Sequence, residues 1–175
     1  MATFMKRYLY FCLTAGAIGF TACTASPGPR APAPLLKTVI VNDSVNIIAG
    51  ETVYVPVYSY IYTVDRNRTW ELTATLSTRN TDLVHPIILS SVKYFDGSGT
   101  LIRNYLEQPV ELGPLAATDF VIEQRDTSGG VGSAFIVEWV AQATVSAPVI
   151  EAVMINTVGN QGLSFVSNGR VIKRR

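Results

Sequence analysis

Trp70-Glu71-Leu72-Thr73-Ala74-Thr75-Leu76-Ser77 alternates apolar and polar residues without a break. Successive side chains of a strand point to opposite faces, so Trp70, Leu72, Ala74 and Leu76 share one face and Glu71, Thr73, Thr75 and Ser77 the other. One packed face and one wet face describe a strand in an antiparallel sheet covered on a single side. The same period of two recurs on either side of this segment. Strands are expected at 52–62, 87–95, 101–106, 120–124, 134–141, 151–156 and 163–166, all rich in Val, Ile, Tyr, Phe and Thr. Turn sequences divide them. Asp96-Gly97-Ser98-Gly99 reads as a hairpin, and Gly113-Pro114, Ser128-Gly129-Gly130, the stretch 159–162 and Asn168-Gly169 mark further turns. Pro56 falls inside 52–62. Proline cannot donate to a ladder, so that strand is expected at an edge or bulged there. Short strands in series, without an amphipathic helix, predict an all-β domain built as a single β-sandwich. An immunoglobulin-like arrangement is the first expectation and a small β-barrel the second.

Composition agrees with one packed domain. The chain has 175 residues, 48% hydrophobic and only 15% charged, which excludes intrinsic disorder as a description of its main body. Net charge is +1. Setting Lys6 and Arg7 aside with the leader leaves a slight acidic excess, so no nucleic-acid partner is expected. The run Lys173-Arg174-Arg175 reads as a solvated basic tail.

Residues 1–22 read as a signal peptide. Lys6 and Arg7 supply a positive start, and residues 8–22 carry no charge but are too few for a membrane span of about 20 residues. Phe20-Thr21-Ala22-Cys23 resembles the bacterial lipobox, with Phe20 where Leu is usual. The resemblance implies cleavage before Cys23 and lipidation of its thiol, and two acyl chains suffice for stable anchoring. Thr24, in place of an Asp that would signal inner-membrane retention, favours the outer membrane if the host has one. The protein is therefore expected in the cell envelope, held to the membrane by its N-terminal lipid and facing the periplasm or the exterior. Residues 23–38 form the anchor and a Pro-rich extended tether, 39–172 the β-sandwich domain, and 173–175 the tail.

Several motifs together resemble an uncharacterised bacterial envelope-protein family, a domain of unknown function. They are YVPVYSYIY (54–62), TLSTRNTD (75–82), YFDGSGTLIRNYL (94–106), PLAATDFVIEQRDTSGG (114–130), FIVEW (135–139) and QGLSFVSNGR (161–170). The similarity covers about 53–171. It supports the envelope location and implies no activity.

The residues argue against most chemistries. The domain has one histidine, His85, and no cysteine beyond Cys23, so a zinc site lacks ligands and a thiol nucleophile is missing. His85 precedes Pro86 and reads as a loop residue. No Gly-x-Ser-x-Gly elbow is present for a Ser-His-Asp hydrolase, and Ser98 between glycines belongs to a hairpin. A hydrolase with loop carboxylates is the alternative function, its acids drawn from Asp65, Asp82, Asp96, Asp119, Asp126 and Glu138. A second alternative is a calcium-stabilised, adhesion-like module. Asp65, Asn67, Asp82, Asp96 and Asp126 are its loop oxygen donors, although no spacing matches an EF-hand and only weak Ca2+ binding is in view. No other cofactor is expected.

A binding surface is the leading expectation. Alternation across 53–62 places Tyr54, Tyr58, Tyr60 and Tyr62 on one face and Val53, Val55, Val57 and Ile61 on the other. The valines mark the core face, and the tyrosines form a platform for an envelope protein or a glycan, or else pair across strands with Tyr94 and Tyr105. Arg66 and Arg68 follow the tyrosines. Arg79 and Asn80 join them in one corner if the strands pair. Asp126 and Ser128 sit in a Gly-rich loop, 126–132, that lacks the lysine and helix of a phosphate loop. Glu138 lies within the apolar strand 134–141, either facing water or paired with an arginine.

Overall fold

The computed structural model describes residues 36–42, 45–159 and 161–175. The leader, Cys23 and the tether to residue 35 lie outside these residues, as does Asn160 of the expected 159–162 turn. The described strands are β1 (Lys37–Thr38), β2 (Ala49–Pro56), β3 (Tyr60–Tyr62), β4 (Thr69–Glu71), β5 (Thr73–Arg79), β6 (Ile87–Phe95), β7 (Leu101–Asn104), β8 (Val110–Leu112), β9 (Ala117–Ile122), β10 (Ala134–Ala141), β11 (Val149–Asn156), β12 (Leu163–Asn168) and β13 (Arg170–Arg174). A single 3-10 turn, Gly130–Gly132, precedes β10.

Two antiparallel sheets form a β-sandwich. One has the order β1-β8-β6-β10-β2-β13, with β7 sharing the outer flank of β6 with β8; the other has the order β12-β11-β5-β9. A separate two-stranded hairpin joins β3 to β4. No sheet closes, so the barrel expectation gives way to the sandwich. Pairing of β5 with β9 and of β6 with β10 reproduces the B–E and C–F pairs at the centre of an immunoglobulin sandwich. The outer strands are exchanged relative to that arrangement: β2 lies beside β10 where G would lie, and β11 beside β5 where A would lie.

Period-two burial builds the core. Val53, Val55 and Val57 from the segment containing β2 meet Leu72, Ala74 and Leu76 from the segment leading through β5, and Phe120, Ile122, Ala152 and Met154 complete that side. Full burial of each large apolar side chain contributes about 1.5–3 kcal/mol. In β6 the phase changes once. The β6–β10 register steps from Glu138 opposite Ser91 to Trp139 opposite Leu89, leaving Ser90 as an extra residue whose Oγ donates to Glu138 O at 3.1 Å. This bulge is why Leu89 and Val92, three residues apart, both face inward. Glu138 sits opposite Ser91 and Thr52, on the outer face.

Pro56 is the last residue of an interior strand, not part of an edge strand. Val57 N–H points toward β10, donating to Ser133 O, so position 56 points the other way, toward β13. The β13 pairing ends at Tyr54 opposite Arg170, and the missing donor of Pro56 therefore faces a locally open edge. The basic run at the C-terminus is sheet rather than tail. Lys173 and Arg174 pair with Thr52 and Glu51, and the expected boundary at 172 falls inside β13.

The chain joins the domain at one end of the sandwich. Lys37 pairs with Glu111, which pairs with Ile88 near the start of β6, and Leu36 packs against the core. This near end is closed by Asn80, a buried residue that the sequence placed in an arginine corner. Its Nδ2 donates to His85 O (2.9 Å), Leu112 O (3.1 Å) and Gly113 O (2.9 Å), and its Oδ1 accepts from Asp82 N–H at 3.0 Å. Replacing Asn80 with Ala strands these backbone groups, and each buried group without a partner costs about 1–3 kcal/mol. The expected outcome is a loss of at least about 2 kcal/mol in urea unfolding; a loss under 0.5 kcal/mol would mean water replaces the amide.

Candidate functional site

The far end gathers residues 57–72, 96–100, 123–133, 156–159 and 161–162. Its organising element is the Gly-rich loop, which is pinned rather than free. Ser59 N–H donates to Gly130 O at 3.1 Å, and Gly130 N–H donates to Ser59 Oγ at 2.8 Å. Ser133 Oγ donates to Val57 O at 3.0 Å. Ser59 and Ser133 are both fully buried, and Gly130 takes the left-handed conformation (φ 74°) that allows this docking. Ser59 was legible in the sequence as a polar residue in phase with Val53, Val55 and Val57, a pattern that demands a buried partner. Beneath the loop lies Tyr94. Burial pushes its pKa up. Its Oη is buried and has no hydrogen-bond partner.

Asp126 and Ser128 close the outside of this loop. Asp126 Oδ1 accepts from Ser128 N–H and Oγ, and Oδ2 accepts from Arg103 Nη2 at 2.9 Å. Arg103 also lies over the Tyr105 ring, 5.4 Å from its centroid. Tyr105 and Tyr94 do not pair with the tyrosine row. They join Phe135 and Phe120 in an internal aromatic cluster with centroid spacings of 5.3–5.6 Å.

The four tyrosines of 54–62 are divided among three settings. The chain leaves the sheet after Pro56 to make the serine contacts, and this breaks the platform. Tyr54 lies on the outer face of the larger sheet between Ile136 and Arg170, in an open groove of about 430 Å³ bounded by Phe95 and the 96–99 turn. Tyr58 packs edge-on against Phe165, with centroids 5.8 Å apart. Tyr60 and Tyr62 stand edge to face at 5.9 Å on the β3–β4 hairpin, and Tyr62 is 44% exposed. On the same hairpin Trp70 pairs with Ile61 and is 39% exposed, although alternation put it in line with Leu72 and Leu76. The core ends at Leu72, and β4 runs beyond it. Arg66 and Arg68 are exposed near the hairpin tip, where Asp65 Oδ1 holds Asn67 N–H at 2.8 Å. Arg79 is at the other end of β5, donating to Glu151 Oε1 at 3.0 Å, so the expected arginine corner is not assembled.

Of the carboxylates considered for hydrolysis or calcium, Asp119 and Glu138 lie within β9 and β10, and the other four work in separate turns. Asp65 and Asp126 are described above. Asp96 Oδ1 accepts from Ser98 and Thr100 N–H. Asp82, at the near end, accepts from Val84, His85 and Ser146 N–H at 2.8–3.0 Å. Ser146 thus reaches Asp82 through its backbone, and His85 Nδ1 lies 3.5 Å from Asp82 Oδ1. Among the described residues no three His, Cys, Asp or Glu side chains converge on a point where a metal ion could be held.

Two predictions follow from this geometry. A Cβ at position 129 lies 1.8 Å from Tyr94 Oη and 2.6 Å from Ser133 Cβ, so Gly129→Ala should cost about 1–3 kcal/mol or more. Tyr94→Phe alone should be near neutral and should return part of the loss in the double mutant; strict additivity of the two changes would refute the clash. At Asp82, the backbone donors of His85, Val84 and Ser146 lower the pKa from 3.8 to about 2. The folded state therefore favours the carboxylate. That contribution is complete above about pH 4 and fades as pH falls toward 2. Melting curves from pH 6 to pH 2 should show a steeper acid loss for wild type than for Asp82→Asn, and parallel curves would deny Asp82 this role.

The comparisons with known proteins agree with this single-domain description. No curated protein and no solved structure matches the chain. A family described as a protein of unknown function (DUF3124) matches residues 50–172, a span that reaches from the start of β2 into β13 and takes in both sheets and the hairpin. The resemblance to an unknown-function family over about 53–171 thus corresponds to a defined match over most of the chain, which belongs to the DUF3124 family.

Proposed function

We propose that this protein is a lipid-anchored module of the cell envelope that binds an envelope protein or glycan through the aromatic hairpin at its far end, without catalysis. The observation that carries the reading is the placement of Trp70 and Tyr62. Both are large aromatic side chains exposed on a hairpin of which only Ile61 packs against the core, at the end opposite to where Leu36 joins the sheet. Exposed aromatic residues beside arginines are the composition that binding surfaces favour. Arg66 and Arg68 supply that neighbourhood.

The N-terminal sequence supports the location. Acylation of Cys23 would hold the chain to a membrane, the outer one where the host has two.

Two measurements test the proposal. Intact mass spectrometry of protein recovered from membranes should give residues 23–175 plus acyl chains, and Cys23→Ser should abolish that species; an unmodified full-length mass in wild type would sink the anchor. A photo-crosslinking residue placed at 62 or 70 in the producing cell should yield envelope adducts that the same residue at Glu107 does not. Equal yields at all three positions would remove the hairpin as a binding surface.

A further inference from the structure

We infer that the cleft on the Trp70 face of the hairpin is a saccharide subsite that takes one pyranose ring of a β-linked envelope glycan. This rests on the binding role proposed above and names its ligand chemistry. The cleft has a volume of about 280 Å³ and is lined by Thr69, Trp70, Glu71, Gln124, Asn156 and Val158. That is the lower end of the range for small-molecule sites, about 300–1,000 Å³. It suits a single ring and is too small for the contiguous apolar patch that a protein partner would bury.

The lining matches the two-sided chemistry of a pyranose. Such a ring carries an apolar face of axial C–H groups and a rim of equatorial hydroxyls. The apolar face needs a broad aromatic surface, and an indole is the largest available. Trp70 offers one, and nothing in the core accounts for its exposure. The hydroxyl rim needs side chains that both donate and accept. Gln124 reaches Glu71 O only at 3.4 Å, a long bond that its amide can exchange for a ligand hydroxyl.

The wall behind them is fixed. Asn156 is 8% exposed, with Nδ2 donating to Glu71 O at 2.7 Å and Oδ1 accepting from Val158 N–H at 2.9 Å. Asn156 therefore ties β11 to β4 and sets the width of the cleft. The Trp70 indole, the exchangeable Gln124 amide and the fixed Asn156 wall form a site organised in advance of its ligand, which lowers the ordering cost of binding.

The test uses the full chain in a zwitterionic detergent without sugar headgroups. Saturation-transfer NMR reads the ring protons of a β-1,4-linked N-acetylglucosamine tetramer and, separately, of cellotetraose. The expected result is saturable transfer to axial ring protons, with half-saturation in the millimolar range. Trp70→Ala should abolish it and Gln124→Ala weaken it at least threefold. Binding of the acetylated oligomer alone would assign an acetamido glycan, and equal binding of both would assign recognition of the ring face only. Either result supports a pyranose subsite. Absence of transfer from both oligomers, or transfer unchanged in Trp70→Ala, overturns it. Trp139, the other tryptophan, is 3% exposed and serves as an internal reference: its emission should stay constant through the titration. Failure here with adducts still formed at position 70 would leave the envelope-binding role standing with a ligand other than sugar.

Discussion

The docking of Gly130 onto Ser59 and of Ser133 onto Val57 governs the far half of this molecule. Six hydrogen-bonding groups brought together around the buried Ser59 and Ser133 either pair with each other or cost free energy, so the contact forms as a unit. It draws the chain out of β2 after Pro56, starts the β3–β4 hairpin, seals Tyr94 beneath the Gly-rich loop and begins β10 at Ala134. Only glycine fits at 129, because the Tyr94 hydroxyl occupies the space where a side chain would begin. The loop that looked most adaptable in the sequence is among the most constrained segments of the fold.

The two ends of the sandwich differ in kind. The near end is closed by the buried Asn80 amide and the partly exposed Asp82 carboxylate, which bond mainly to backbone groups. The far end uses small side chains, Ser59 and Ser133, for its internal bonds, keeps Tyr94 and Phe135 inside and exposes Tyr62 and Trp70 on the hairpin.

Alternation made the core legible. Leu72, Ala74, Leu76, Val53, Val55 and Val57 are buried as their phase requires. Phase does not reveal where a sheet stops, which is why Trp70 was placed with Leu72 although β4 outruns the core. The tyrosine row failed for a related reason: Pro56 and Ser59 marked a departure from the sheet, and reading 52–62 as one strand took Pro56 as an edge or a bulge and passed over Ser59. The strands β1, β8 and β13 are too short or too charged to show a period, and their pairing is fixed by neighbours distant in sequence. Gln124 and Asn156 carried no local signal at all. They matter only because the ends of β9 and β11 arrive beside β4.

The first strand has a mechanical consequence. β1 is held to β8 by two residue pairs, Lys37 with Glu111 and Thr38 with Val110, and by one exposed ion pair of 2.9 Å between Lys37 and Glu111. Any pull transmitted along the chain from before Leu36 reaches this short ladder first, while β2, β6 and β10 are joined by ladders of seven or eight pairs. The two-pair ladder at β1 is the shortest in the larger sheet, so it is the first pairing that a pull on the chain before Leu36 would load.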